Sequence, residues 1–142
     1  MIRYYFPVML IVGANLIYQN SAKAMPGQVN TFFGLTFTYI IAAVLSATIF
    51  FVGGHSDPIQ VQMRYLNWAP FALGVSIVLL EFGFVMLYRV GWNISVGPLV
   101  CNIILAIILL IIGYLFYKDI ITLTKIAGMG LCMIGLILLT RK

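Results

Sequence analysis

The sequence predicts an all-α polytopic membrane protein, a bundle of five transmembrane helices, and three observations predict it. Of the 142 residues, 63% are hydrophobic and only 8% charged, with a mean hydropathy of +1.13. That is too little charge to cover a soluble domain of this size. Five apolar stretches, 4–22, 31–53, 68–88, 98–117 and 121–140, each reach the roughly 20 residues that a helix needs to cross a hydrocarbon core. Residues 103–112 read Ile-Ile-Leu-Ala-Ile-Ile-Leu-Leu-Ile-Ile, without the polar–apolar alternation of a barrel strand.

The first stretch follows Arg3 and ends in Ser21-Ala22-Lys23-Ala24, which resembles a signal-peptide cleavage site. Asn15, Gln19 and Asn20 interrupt its apolar run, so a membrane helix is expected instead. Asn15, Tyr18 and Gln19 stand at i, i+3 and i+4, a polar stripe opposite Leu10, Gly13 and Ile17. Such a stripe is costly against lipid and is expected to face a helix or a cavity. The second stretch carries Tyr39 and Ser46 seven apart. After it, 54–67, with His55, Asp57, Pro58, Gln60, Gln62 and Arg64, is expected to be the one sizeable exposed loop.

The third stretch holds Glu81 near the centre of an apolar run flanked by Trp68 and Trp92, as interfacial anchors would be. An ionised acid there costs about 2.5–3.5 kcal/mol on insertion scales, so it is expected to face protein or water and to be functional. Gly74, Glu81 and Tyr88, seven apart, share a face, which predicts close backbone approach on one side of the carboxyl and a phenol on the other. Apolar surroundings disfavour the charged carboxylate, so Glu81 is expected to take up and release a proton in competition with a substrate. Phe82, Phe84, Tyr88 and Trp92 could add cation–π attraction.

Glycines and polar residues from Arg89 to Gly97 break the pattern before Pro98 opens the fourth helix, where its missing N–H does no harm. Asn102 follows one turn later. In the fifth stretch Gly128 and Gly135, seven apart with Gly130 nearby, form a small-residue face, expected to pack against another helix, above all its copy in a partner. Cys101 and Cys132 lack metal-ligand spacing and are expected to be small buried side chains.

The net charge of +5 comes from basic residues scattered at the ends of apolar runs, which orient helices; no nucleic acid is expected as a partner. With five spans, Arg3, Arg64, Lys118 and, if it snorkels back to the 118–120 turn, Lys125 fall on one side and Lys23, Arg89, Arg141 and Lys142 on the other. This tie of four against four removes the usual imbalance and allows both orientations. No nucleophile–base pair, metal-ligand cluster or phosphate-binding glycine loop is seen, and His55 stands alone beside Asp57, so no enzyme, cofactor or metal site is expected.

Gly97-Pro98-Leu-Val-Cys-Asn-Ile, then Tyr117-Lys-Asp119-Ile-Ile-Thr-Leu-Thr-Lys-Ile-Ala-Gly128 and Gly135-Leu-Ile-Leu-Leu, resemble the closing helices of an EamA-type domain of the drug/metabolite transporter superfamily. That pattern has a proline-started helix, an acidic residue at the turn and a last helix with glycines seven apart. Asn15 to Lys23 falls where the family's first helix carries a polar stretch ending in lysine. The resemblance covers nearly the whole chain, and five spans equal one EamA repeat. Asp119 stands where glutamate is usual, and the familiar transporters join two repeats in one polypeptide.

The resemblance implies a secondary active transporter that works by alternating access, a proton-coupled exporter or exchanger of a small metabolite or organic cation. Two odd-numbered repeats placed in opposite senses give inverted topology with a midplane site. A single repeat could rebuild this as an antiparallel homodimer, as the related small multidrug resistance proteins do; a parallel dimer or a second half-size chain is the alternative. Two Glu81 carboxyls facing each other would titrate as a coupled pair. The expected site is Glu81 with Tyr88, Asn15, Tyr18, Gln19 and Asn102, in a bacterial or archaeal cytoplasmic (inner) membrane. Against this stands a non-transporting membrane subunit or scaffold, in which Glu81 satisfies a group of a partner.

Overall fold

The structure, a computed structural model, describes residues 2–54, 58–118 and 122–140. They form six α-helices: α1 (Ile2–Ala24), α2 (Thr31–Val52), α3 (Ile59–Arg64), α4 (Ala69–Arg89), α5 (Gly97–Tyr117) and α6 (Leu123–Thr140). The five long helices fall on the five apolar stretches. Three of them, α2, α4 and α5, are long and apolar enough to cross a membrane, as befits an integral membrane protein. The chain divides into two compact units, residues 1–89 and 90–142.

In the first unit α4 packs against both α1 and α2. The turn between α1 and α2 is tight because Asn30 ends it with a side-chain cap. Its Oδ1 accepts from the amides of Phe32 at 3.0 Å and Phe33 at 3.4 Å, two of the donors that a helix start leaves open. Gly34, in the first turn of α2, leaves room for Met25 to fold back: a Cβ there would meet the Met25 sulfur at 3.2 Å. Arg89 closes the same end from α4. Its guanidinium donates to the carbonyls of Pro26 at 3.2 Å and Val29 at 2.7 Å. The C-terminal ends of α1 and α4 therefore lie together, and α2 runs antiparallel to both.

Packing is concentrated at this end. The buried residues Ala22, Thr31, Leu35, Val85 and Tyr88 all lie near the turn, whereas residues 3–17 of α1, 40–49 of α2 and 70–77 of α4 are exposed within the unit. Gly74 belongs to the open part, and nothing lies within 4 Å of a Cβ built on it. The expected close approach at Gly74 is thus not made inside the unit, because the helix contact begins a turn or more later, at Glu81.

The segment 54–67 is not all loop, since α3 occupies its second half. Pro58, with its ring-fixed φ of −62°, sits at the N-cap and its carbonyl accepts from the amides of Val61 and Gln62. Punctuation by Gly53, Gly54 and Pro58 masks so short a helix in the sequence. His55 and Asp57 lie outside the described residues.

In the second unit α5 packs on α6. Pro98 stands in the first turn of α5, as its chemistry requires, and the helix ends at Lys118 in the left-handed conformation, φ 54°. Asp119 lies outside the described residues. Cys101 and Cys132 are exposed, not buried: a pair of helices has too little interior to enclose them. The glycines of α6 are not used in its contact with α5, since a Cβ on Gly128, Gly130 or Gly135 would meet nothing within 4 Å.

Candidate functional site

The contact of three helices places a polar cluster inside an apolar unit. On α4, Glu81, Phe84, Val85 and Tyr88 follow one another at i, i+3, i+4 and i+7, the spacing of one helix face. At 1.5 Å per residue, Glu81 lies about 12 Å along the helix from Arg89 and about 18 Å from Ala69, which is mid-span. It is partly buried.

Helix α1 brings Tyr18 and Gln19 to this face, and α2 brings Tyr39. Tyr88, buried, donates its hydroxyl hydrogen to Gln19 Oε1 at 2.6 Å, a direct tie between α4 and α1. Tyr18 packs edge-on against Phe84 at a centroid distance of 5.8 Å, and Phe84 tilts over Tyr88 at 6.5 Å. The hydroxyls of Tyr18 and Tyr39 are buried without a hydrogen-bond partner. Both are within electrostatic reach of the Glu81 carboxyl, and Tyr39 lies against it without meeting strict hydrogen-bond geometry. Among the described residues no cation balances Glu81.

A cavity of about 80 Å³ opens beside the carboxyl, lined by Glu81 and Val85 of α4, Tyr18, Ser21 and Ala22 of α1, and Leu35 and Thr38 of α2, with Met25 beneath. Toward Arg89, the Tyr88–Gln19 bond ties α4 to α1, and Phe32 and Phe82 stack at 4.9 Å with their planes 8° apart. Phe82 therefore serves packing, not the carboxyl's surroundings. A second, open depression of about 410 Å³ lies over the turn, between residues 27–32, Phe82 and Arg89. Arg89 is already engaged there by two carbonyls.

Of the residues expected at the site, Glu81, Tyr88, Tyr18 and Gln19 come together. Asn15 does not join them. It is exposed, and its position one turn before Tyr18 lies beyond the packed end of α1. Asn102 is also exposed, on α5 of the other unit. Trp92 likewise belongs to residues 90–142. Three site residues escape the sequence reading. Tyr39 is visible only as a polar position in α2, while Ser21 and Thr38 carry no signal because small hydroxyl residues are common in membrane helices. No group of three or more His, Cys, Asp or Glu that could hold a metal occurs among the described residues.

Compared with family models, with curated proteins and with solved structures, the chain matches none.

Proposed function

We propose that the chain is a proton-coupled secondary transporter of a small metabolite or organic cation, with Glu81 as the group that exchanges a proton for substrate. The observation that carries this reading is the carboxyl itself: mid-span, partly buried, with no balancing cation among the described residues and only the phenols of Tyr18 and Tyr39 beside it. A purely structural acid in an apolar span would be expected to have a cationic or fully hydrogen-bonded partner. An exchange site must instead leave its acid free to pass between a proton and a ligand.

Alternating access needs a site closed on one side and open on the other, with the closure reversible. In this reading the Tyr88–Gln19 bond, the Phe32–Phe82 stack and the Arg89 clamp form the closed side. Few interactions would have to break for the opposite side to close instead. The reading takes α1 and α6 as spans alongside α2, α4 and α5, giving the five of one EamA-type repeat in a cytoplasmic membrane. A second copy, inserted in the opposite sense, completes the carrier; a second half-size chain would serve the same purpose. Exposed Asn15 and Asn102 fit this arrangement, since an amide is costly against lipid and rewarding against a partner or substrate.

The test is pH-gradient-driven exchange by purified protein in liposomes. Glu81→Gln keeps size and hydrogen bonding but cannot titrate. It is expected to abolish coupled exchange while helicity and oligomeric state persist. Exchange by this variant at the wild-type rate and pH dependence would remove Glu81 from the mechanism and favour a scaffold.

A further inference from the structure

We propose that the cavity between Tyr18, Thr38 and Glu81 is a sodium site, in which the ion competes with the proton for the carboxylate. The inference rests on Glu81 being the exchanging group of the carrier and assigns that group a second ion.

Size is the first argument. A cavity of about 80 Å³ holds an ion with one or two waters, since a water's share of the liquid is roughly 30 Å³. It is well below the roughly 300–1,000 Å³ of pockets that enclose a drug-sized ligand. The space beside Glu81 suits a bare or partly hydrated inorganic ion, whereas an organic cation would have to extend out through its open side.

The donor set is the second. Every polar side chain on the cavity wall offers oxygen: the Glu81 carboxylate, the Tyr18 phenol and, at the exposed rim, Ser21 and Thr38. Thr38 gives its hydroxyl hydrogen to the Gly34 carbonyl at 3.2 Å, so only lone pairs remain for the cavity. The Tyr18 oxygen is buried and unpartnered. Oxygen donors select hard cations; the one sulfur on the wall, the Met25 thioether, is folded back against Gly34, and the wall carries no imidazole or thiolate to hold a transition metal.

Charge is the third. One carboxylate neutralises a monovalent ion, whereas a divalent ion would keep a net positive charge in an apolar setting, at high cost. The titratable groups facing Glu81 are Tyr18 from α1 and Tyr39 from α2, both phenols, which are ordinarily neutral near pH 7. Arg89, on Glu81's own helix, is about 12 Å away along the axis and bound to the turn. Among the described residues no cationic neighbour therefore competes with sodium for the carboxylate.

Thermal unfolding of the full chain in detergent tests this, with sodium chloride compared against choline chloride at equal ionic strength. A ligand of the folded state raises the midpoint by mass action. A saturable rise with sodium is expected under mildly alkaline conditions, weakening as the solution is acidified. Glu81→Gln should abolish it. Tyr18→Phe removes a hydroxyl that the fold does not use, so it should leave the sodium-free midpoint close to wild type and weaken sodium about tenfold, as loss of one ligand of roughly 1.4 kcal/mol would. Equal midpoints in sodium and choline, or a sodium response surviving in Glu81→Gln, would overturn the site. Sodium-free exchange in liposomes keeps the two readings apart. Exchange without a sodium response defeats the sodium site alone; a sodium response without exchange defeats the carrier.

Discussion

Tyr88 and Gln19 make the side-chain hydrogen bond between α4 and α1, and its worth can be measured. Interhelical hydrogen bonds in membranes average about 0.6 kcal/mol in double-mutant cycles and reach about 1.7 kcal/mol. Buried and short at 2.6 Å, this one belongs toward the upper end. Tyr88→Phe and Gln19→Leu, combined in a cycle and followed by unfolding in mixed micelles, should give a coupling of about 1–1.7 kcal/mol. Additive losses would mean that the bond contributes nothing net. In the proposed carrier the same bond belongs to the closed side, so Tyr88→Phe should also change the exchange rate more than its pH profile, whereas Glu81→Asp should shift the profile, the shorter acid reaching a different environment. Measuring both variants over a pH series separates a gating residue from a titrating one. Glu81 was visible in the sequence because a lone acid in an apolar run is costly and must face protein or water. Thr38 was not, since its role depends on which way its hydrogen points.

At the scale of the helix, apolar runs fixed the long elements closely: 31–53 and 98–117 became Thr31–Val52 and Gly97–Tyr117. Ends marked by Asn30, Pro98 and the glycines were legible because each supplies a specific cap or backbone freedom. Helix α3 was hidden because six residues carry too little periodicity. The pairing of helices was harder to read: the heptad of Gly74, Glu81 and Tyr88 is real as a face, yet only its second half is packed, because contact depends on the crossing of α1 and α2 and not on α4 alone. The Asn30 cap gives one prediction. Asn30→Ala removes an acceptor for two amides and should destabilise the first unit by about 1 kcal/mol, seen as a lower unfolding midpoint. The glycines of α6 give another. Since a Cβ at Gly135 meets nothing among the described residues of its own unit, Gly135→Leu should leave the monomer folded while weakening dimers in detergent. An unchanged dimer fraction would place the partner contact elsewhere.

For the whole molecule the decisive quantity is the distribution of positive charge. With four Lys and Arg on each side of a five-span arrangement, insertion in both orientations is expected. Wild-type fusions to one C-terminal reporter active only in the cytoplasm and another active only outside should both give signal. Two added lysines on one side should drive the population one way. A single clean orientation in the wild type would exclude the antiparallel homodimer. The Arg89 clamp has a bearing on how such a molecule is made. Its two bonds join residues 60 and 63 positions apart in the chain. As the polypeptide leaves the ribosome in order, α1, the turn and α2 must wait as an unlatched hairpin until α4 has been fully delivered, and for that interval the turn lacks its guanidinium and keeps only its own bond from the Val29 amide to the Pro26 carbonyl. The first unit thus matures in one late step rather than helix by helix, and a nascent chain halted just before residue 89 should expose a hairpin that proteases and insertion factors can still reach.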